Sequence, residues 1–193
     1  MGASVADRRA QRLDQILAAA WEIAAESGLG AVTLHEVARR VGIRQPSLYG
    51  YVSSKLDLYD AMFHDAYEQL LAELDRTAPE GTARQQLIRL SRTVLDFGVE
   101  NPPRQQLLFQ RTIPGFEPSP SSYALARRLI DRCAGLLSAL GAGSAAHVEV
   151  YTALVAGLGA QQIANDPGGT RWTRHLETLL DMFLDHFPSE ESP

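Results

Sequence analysis

The sequence has a single cysteine, Cys133, so no disulfide can form within the chain and a reducing interior suits it. Cys133 reads as a small buried hydrophobe in preference to a redox sensor. No run approaches the eighteen apolar residues of a membrane-spanning helix, and the amino terminus lacks the apolar centre of a secretion signal. Cytoplasm is therefore the expected location, with no membrane among the expected partners. An excess of basic residues is missing too: the formal net charge is -5, which on its own speaks against nucleic acid. The charge is unevenly placed, however. Residues 1–55 carry seven Arg or Lys against five Asp or Glu, while residues 56–193 carry eleven against eighteen. Any nucleic-acid contact belongs in the first 55 residues.

Catalytic constellations are missing as well. The five histidines show no HExxH-type spacing, and no Ser, Cys or Lys stands beside a base in a strand-to-helix turn or a Gly-rich cradle. His64 with Glu68, and Asp181 with Asp185 and His186, can share a helical face, but such groups read as solvated charge pairs before metal ligands. No catalytic residue, metal or cofactor is expected. Strand-like alternation and internal repeats are also lacking, which leaves an all-α chain.

What is present is an ordinary globular composition, 45% hydrophobic and 21% charged, organised around the stretch from Thr33 to Lys55. Leu34, Val37, Ala38 and Val41 make one apolar helical face. Thr33 and Glu36 have the spacing of a capping box, in which the hydroxyl takes the Glu36 amide and the carboxylate reaches back. Gly42 can end that helix in the left-handed conformation, and Pro46 suits the start of another, with Leu48 and Val52 facing inward. A helix, a Gly-containing turn and a short helix make a helix-turn-helix, whose second helix enters the major groove of DNA. Among its opening residues, Arg44 suits guanine, Gln45 suits adenine, and the Pro46 ring can meet a thymine methyl.

The run Gly42-Ile43-Arg44-Gln45-Pro46-Ser47-Leu48-Tyr49, followed by Lys55, resembles the core signature of the TetR family of bacterial transcriptional regulators. The resemblance covers Leu13 to Met62. It implies that Gln45, Pro46 and Ser47 contact bases, and that Thr33, Tyr49 and Lys55 hold the DNA backbone with His35 and Tyr51 as additions. Two departures stand out: Ala24 lies where the family commonly has Phe, with Trp21 able to fill the space, and Gly50 replaces a bulky residue.

Around this stretch, Met1 to Ala6 reads as a disordered arm, followed by Arg8, Arg9 and Arg12, which either touch phosphates or simply begin a helix. Leu13, Ile16, Leu17, Ala20, Ile23 and Ala24 predict a first helix stopped by Gly28. A long helix follows Lys55 through Leu56, Tyr59, Phe63, Ala66, Leu70 and Leu74, ending before Pro79 and Gly81. Further helices are predicted over 82–101, 104–113, 121–140, 145–165 and 171–187, with Pro102-Pro103 as a breaker and 114–120 as an ordered loop or lid. The expected organisation is a three-helix helix-turn-helix head over 1–55, then a helical body over 56–193 that binds an effector and dimerises.

The helix over 145–165 is apolar nearly all round, and a helix of that kind must be covered on every side. The resemblance implies a homodimer through the last two helices, with Ala153, Gly157, Trp172, Leu176, Leu179 and Phe183 at the interface. It also implies an effector pocket among the helices and loop that carry Phe97, Phe109, Phe116, Tyr123, His147, Tyr151 and Gln162. The expected function is a regulator of a palindromic double-stranded DNA operator, a repressor released by a small, largely apolar molecule. The alternative is a body that binds a protein partner instead of a small molecule.

Overall fold

The computed structural model describes residues 4–76 and 80–186, and every regular element among them is helical. α1 spans Val5–Ser27, α2 Leu34–Val41 and α3 Gln45–Leu48, with a 3-10 turn at Leu29–Ala31. The expected arm is thus helical from Val5 onward; residues 1–3 lie outside the described residues. Ser4 explains the early start: its hydroxyl accepts the Asp7 amide while the Asp7 carboxylate accepts the Ser4 N–H at 2.8 Å, so two otherwise orphan donors are satisfied together. Gly28, at φ +80°, ends the helix as its position predicts. The second capping box is only half made. Thr33 accepts the Glu36 amide at 3.2 Å, but the Glu36 carboxylate turns forward to Arg39 at 2.9 Å, where a full charge outcompetes a backbone amide.

Ile16, Ala20 and Ile23 of α1, Val37 and Ala38 of α2, and Leu48 and Val52 are all buried where α1 packs on α2. This small core fixes the angle of α3 against α2. α4, Lys55–Arg76, packs on α1 with one end and on the body with the rest. Tyr59, Phe63, Ala66, Leu70 and Leu74 are buried along it, whereas Leu56 is 43% exposed.

The body comprises α5 Ala83–Val99, α6 Pro102–Phe109, α7 Pro120–Ser138, α8 Ala145–Asn165 and α9 Leu176–His186. α5 is its axis and touches α4, α6, α7, α8 and α9. Three boundaries differ from expectation, one of them the end of α6, which stops at Phe109 and not at residue 113. Pro102 opens α6 instead of merely breaking α5: Asn101 caps it by accepting the Arg104 amide, and a proline in the first turn sacrifices no hydrogen bond. α9 begins late because the Trp172 and Thr173 amides go to the Gln162 side chain and the Arg171 amide to Asp166, which holds the segment as a turn followed by a 3-10 turn at Thr173–His175. Phe187 lies outside the described residues.

Close approach in the body depends on two glycines. The Gln105 side chain of α6, 2% exposed, lies between α5 and α8 and donates to the Ala156 carbonyl at 3.2 Å. A Cβ at Gly98 would collide with its amide oxygen, and one at Gly159 would press on its nitrogen.

Candidate functional site

The turn between α2 and α3 is set by Gly42 at φ +73°, and Arg44 occupies the cap position of α3 with Gln45 and Pro46 in its first turn. Thr33, His35, Arg44, Pro46 and Ser47 are exposed, Tyr49 is 51% exposed, and Gln45, Tyr51 and Lys55 are half-buried. Leu48 of the same short helix is wholly buried, so the polar residues around it point away from the head. The Gln45 amide lies 3.4 Å from the Tyr49 hydroxyl, a long contact that leaves it able to reorient.

Basic side chains hold this surface in place. Arg40 forks onto Glu26 at 2.8 and 2.7 Å and joins α2 to α1; that guanidinium holds the Glu26 carboxyl below its usual range. Arg9 donates to the Gly50 carbonyl at 2.8 Å and lies 5.2 Å from the Tyr51 ring centroid, bracing the turn after α3 from α1. Lys55, implied as a backbone contact, donates to the Gly30 carbonyl at 3.2 Å above the Tyr59 ring. An ammonium carries three donors, so this leaves capacity for a phosphate.

From Lys55 a line of aromatic rings leads into the body. The Tyr59 hydroxyl donates to the Leu29 carbonyl of the head at 2.6 Å. Its ring meets Phe116 at 6.0 Å between centroids, Phe116 meets Phe63 at 6.1 Å, Phe63 meets Tyr67 at 4.8 Å, and Tyr67 meets Phe109 at 6.4 Å. The loop after α6 is pinned to the same helix, since the Asp60 carboxylate accepts from the Ser119 amide at 2.7 Å, the Ser119 hydroxyl at 2.8 Å and the Ser122 hydroxyl at 3.0 Å. Ser122, His64 and Glu68 stand in line, 3.4 Å at each step, in an order that suggests an activated nucleophile. The geometry argues otherwise, because the Ser122 proton points to Asp60 and not to the imidazole. On the opposite side of α4, the Trp21 indole N–H donates to Asp65 at 3.0 Å while the Arg104 guanidinium lies 5.6 Å from its ring and 4.6 Å from that of Phe97.

A cavity of 390 Å³ lies where α4, α5, α6, α7 and α8 meet. Of the residues expected to line a pocket, Phe109 and Tyr151 do so. Phe97 is instead packed beneath Arg104, and Phe116 covers Tyr59 and Phe63 beside a smaller hollow of 180 Å³. Tyr123 is 55% exposed, and His147, half-buried in the first turn of α8, gives its amide to Ser144. Gln162 is wholly buried but clamps the turn between α8 and α9, so it does not belong to the cavity. Tyr67, Gln105 and Cys133 do border it and were not placed there from the sequence. Gln105 left no readable signal, since Arg104 and Gln106 flank it in a helix of mixed polarity. Burial pushes the Cys133 thiol up to about 11, which agrees with its reading as a small hydrophobe.

The expected interface residues divide. Ala153 and Gly157 are exposed, and Trp172 and Leu179 are half-buried. Leu176 and Phe183, 1% and 4% exposed, lie inside the protomer's own core, so they have no surface to offer a partner. The apolar side chains actually uncovered here are Val150, 42% exposed, and Met182, 64% exposed. Among the described residues, no helix is long and apolar enough to cross a membrane.

A family profile described as bacterial regulatory proteins, tetR family, matches residues 16–62. The chain is 30% identical over 102 residues to an HTH-type transcriptional regulator of Mycobacterium tuberculosis, covering 51% of this chain and 44% of that protein. It is 30% identical over 103 residues to the HTH-type transcriptional activator FasR of Mycolicibacterium smegmatis, covering 53% and 47% respectively. The match therefore spans about half the length of these curated relatives. Solved structures resemble nearly the whole chain. A TetR family transcription regulator from Marinobacter aquaeolei is 23% identical with a TM-score of 0.68, over 94% of this chain and 97% of that one. A transcriptional regulator from Rhodococcus sp. Rha1 is 21% identical with a TM-score of 0.67, over 91% and 95%.

Proposed function

Because this chain belongs to the TetR family of bacterial transcriptional regulators, we propose that it acts as a homodimeric repressor released from a palindromic operator by a small, largely apolar molecule. The observation that carries the reading is the division of labour in the segment around α3. Leu48 and Val52 are buried in the head while Arg44, Pro46, Ser47 and Tyr49 are left outside it. Residues 1–55 form the DNA-binding head and 56–193 the effector-binding, dimerising body. Two heads related by a two-fold axis would read two half-sites, one per major groove.

Two expected results test the contact assignment. Gln45→Ala should weaken operator binding by roughly 1–3 kcal/mol and relax preference at one base pair. Unchanged specificity in a selection from random DNA would refute that role. Lys55→Ala should weaken binding to all sequences alike and lower the salt slope by about one unit. A loss confined to one operator sequence would contradict a backbone contact.

The cavity and the aromatic line along α4 support the release step. A ligand that moves the dimer from almost wholly competent to almost wholly incompetent must prefer the second state by about 5.5 kcal/mol. Burying roughly 220 Å² more apolar surface in that state would supply it at about 25 cal/mol per Å². A cavity of 390 Å³ is large enough to hold such a molecule. Sequencing the DNA that co-purifies with the protein tests the whole reading: enrichment of an inverted repeat is expected, and random genomic fragments would overturn it.

A further inference from the structure

We infer that the cavity takes an uncharged, largely apolar molecule bearing a hydrogen-bond acceptor, and that the Tyr67 hydroxyl recognises that acceptor. The inference rests on the ligand-responsive reading above, and it follows from counting protons and charges along the lining.

The Ser91 hydroxyl donates to the Leu87 carbonyl at 2.7 Å, so in its 2.7 Å contact with the Tyr151 hydroxyl it can only accept. Tyr151 has therefore committed its one proton to Ser91. The Cys133 thiol, 3.9 Å away, donates to the Tyr151 oxygen. The Gln105 amide is committed to Ala156, between the two glycines that admit it. Tyr67 is different. It borders the cavity, it is 5% exposed, and among the described residues its hydroxyl has no hydrogen-bond partner. Its ring is held by Phe63 and Phe109, which leaves the hydroxyl as the part still to be satisfied. Burial raises the phenol above its ordinary range, so it stays protonated and acts as a donor.

Charge decides the rest. No Lys, Arg or His borders the cavity, and its one carboxyl, Glu149, belongs to an exposed residue. A carboxylate or phosphate entering here would lose its water, meet no cation and pass a like charge. A ketone, ester, ether or neutral ring nitrogen meets none of these penalties. Tyr67 lies on α4, the helix that begins at the head, so recognition occurs on the element that carries the head.

The test uses calorimetric titration of the full chain with two matched sets of probes: 2-nonanone, nonane and nonanoate, then benzophenone, diphenylmethane and diphenylacetate. In the set whose shape suits the cavity, the ketone should bind roughly tenfold tighter than its hydrocarbon, the weight of about one hydrogen bond. Its carboxylate should not bind at neutral pH. Tyr67→Phe, which keeps the ring packing, should bring the ketone down to the hydrocarbon's affinity, while Tyr151→Phe should leave their ratio unchanged. Carboxylate binding equal to the ketone's, or a ketone preference that survives Tyr67→Phe, would overturn the inference and leave the ligand-responsive reading intact. If no probe binds in either set, the inference and that reading fall together, with operator binding unaffected.

Discussion

Phe183→Asp is expected to unfold the protein and not to separate two folded protomers. Phe183 is 4% exposed and its ring lies 6.4 Å from that of Tyr151, against the wall of the cavity. Removing a buried phenyl ring costs about 3–5 kcal/mol, and burying a carboxylate in its place adds to that. Domains of ordinary stability hold roughly 5–15 kcal/mol in total. Urea denaturation followed by circular dichroism should place the midpoint far below that of the wild type or show no folded baseline. A variant with wild-type stability would contradict the placement of Phe183 in the core.

The opposite outcome is expected for the neighbouring residue on the outer face. Met182→Asp combined with Val150→Asp changes two side chains that are 64% and 42% exposed in the protomer, so folding should be nearly untouched. In a two-fold dimer built on α8 and α9, each substitution appears twice, and four carboxylates would be desolvated together. Light scattering should report a folded monomer. Operator affinity should fall by about a hundredfold or more, because each half-site is then bound without the other. A double variant that stays dimeric, or binds the operator as wild type does, would show that the protomers meet elsewhere.

These two neighbours mark the limit of what the chain discloses before it folds. The helix-turn-helix was readable because its signals are local: Gly42, the Thr33 hydroxyl and the buried pair Leu48 and Val52 act within a few residues of one another. In α9 the apolar residues spread too far round the helix to tell the face that meets the protomer's own core from the face left outside. Hence Leu176 and Phe183, expected at an interface, lie in the core. The cavity was harder still, since walls and solid core use the same residue types. Phe109 and Tyr151 border the cavity, whereas Phe97 meets a guanidinium. Asp60 gave no warning at all, because its three hydrogen bonds go to residues about sixty positions away. The start of α9 was misplaced for a related reason: Gln162 reaches across the turn and takes amides that would otherwise have opened the helix.

The indole of Trp21 belongs to the head, yet its N–H is held by Asp65 of α4 and its face lies near Arg104 of α6. A movement of the head that breaks either contact would change the polarity around this ring. The chain has one other tryptophan, Trp172, which sits at the turn between α8 and α9. With Trp172→Phe and excitation beyond the absorption of the tyrosines, the emission of the protein comes from Trp21 alone. The molecule then carries an intrinsic optical gauge at the contact between head and body, one that would register a displacement of the head without an attached dye.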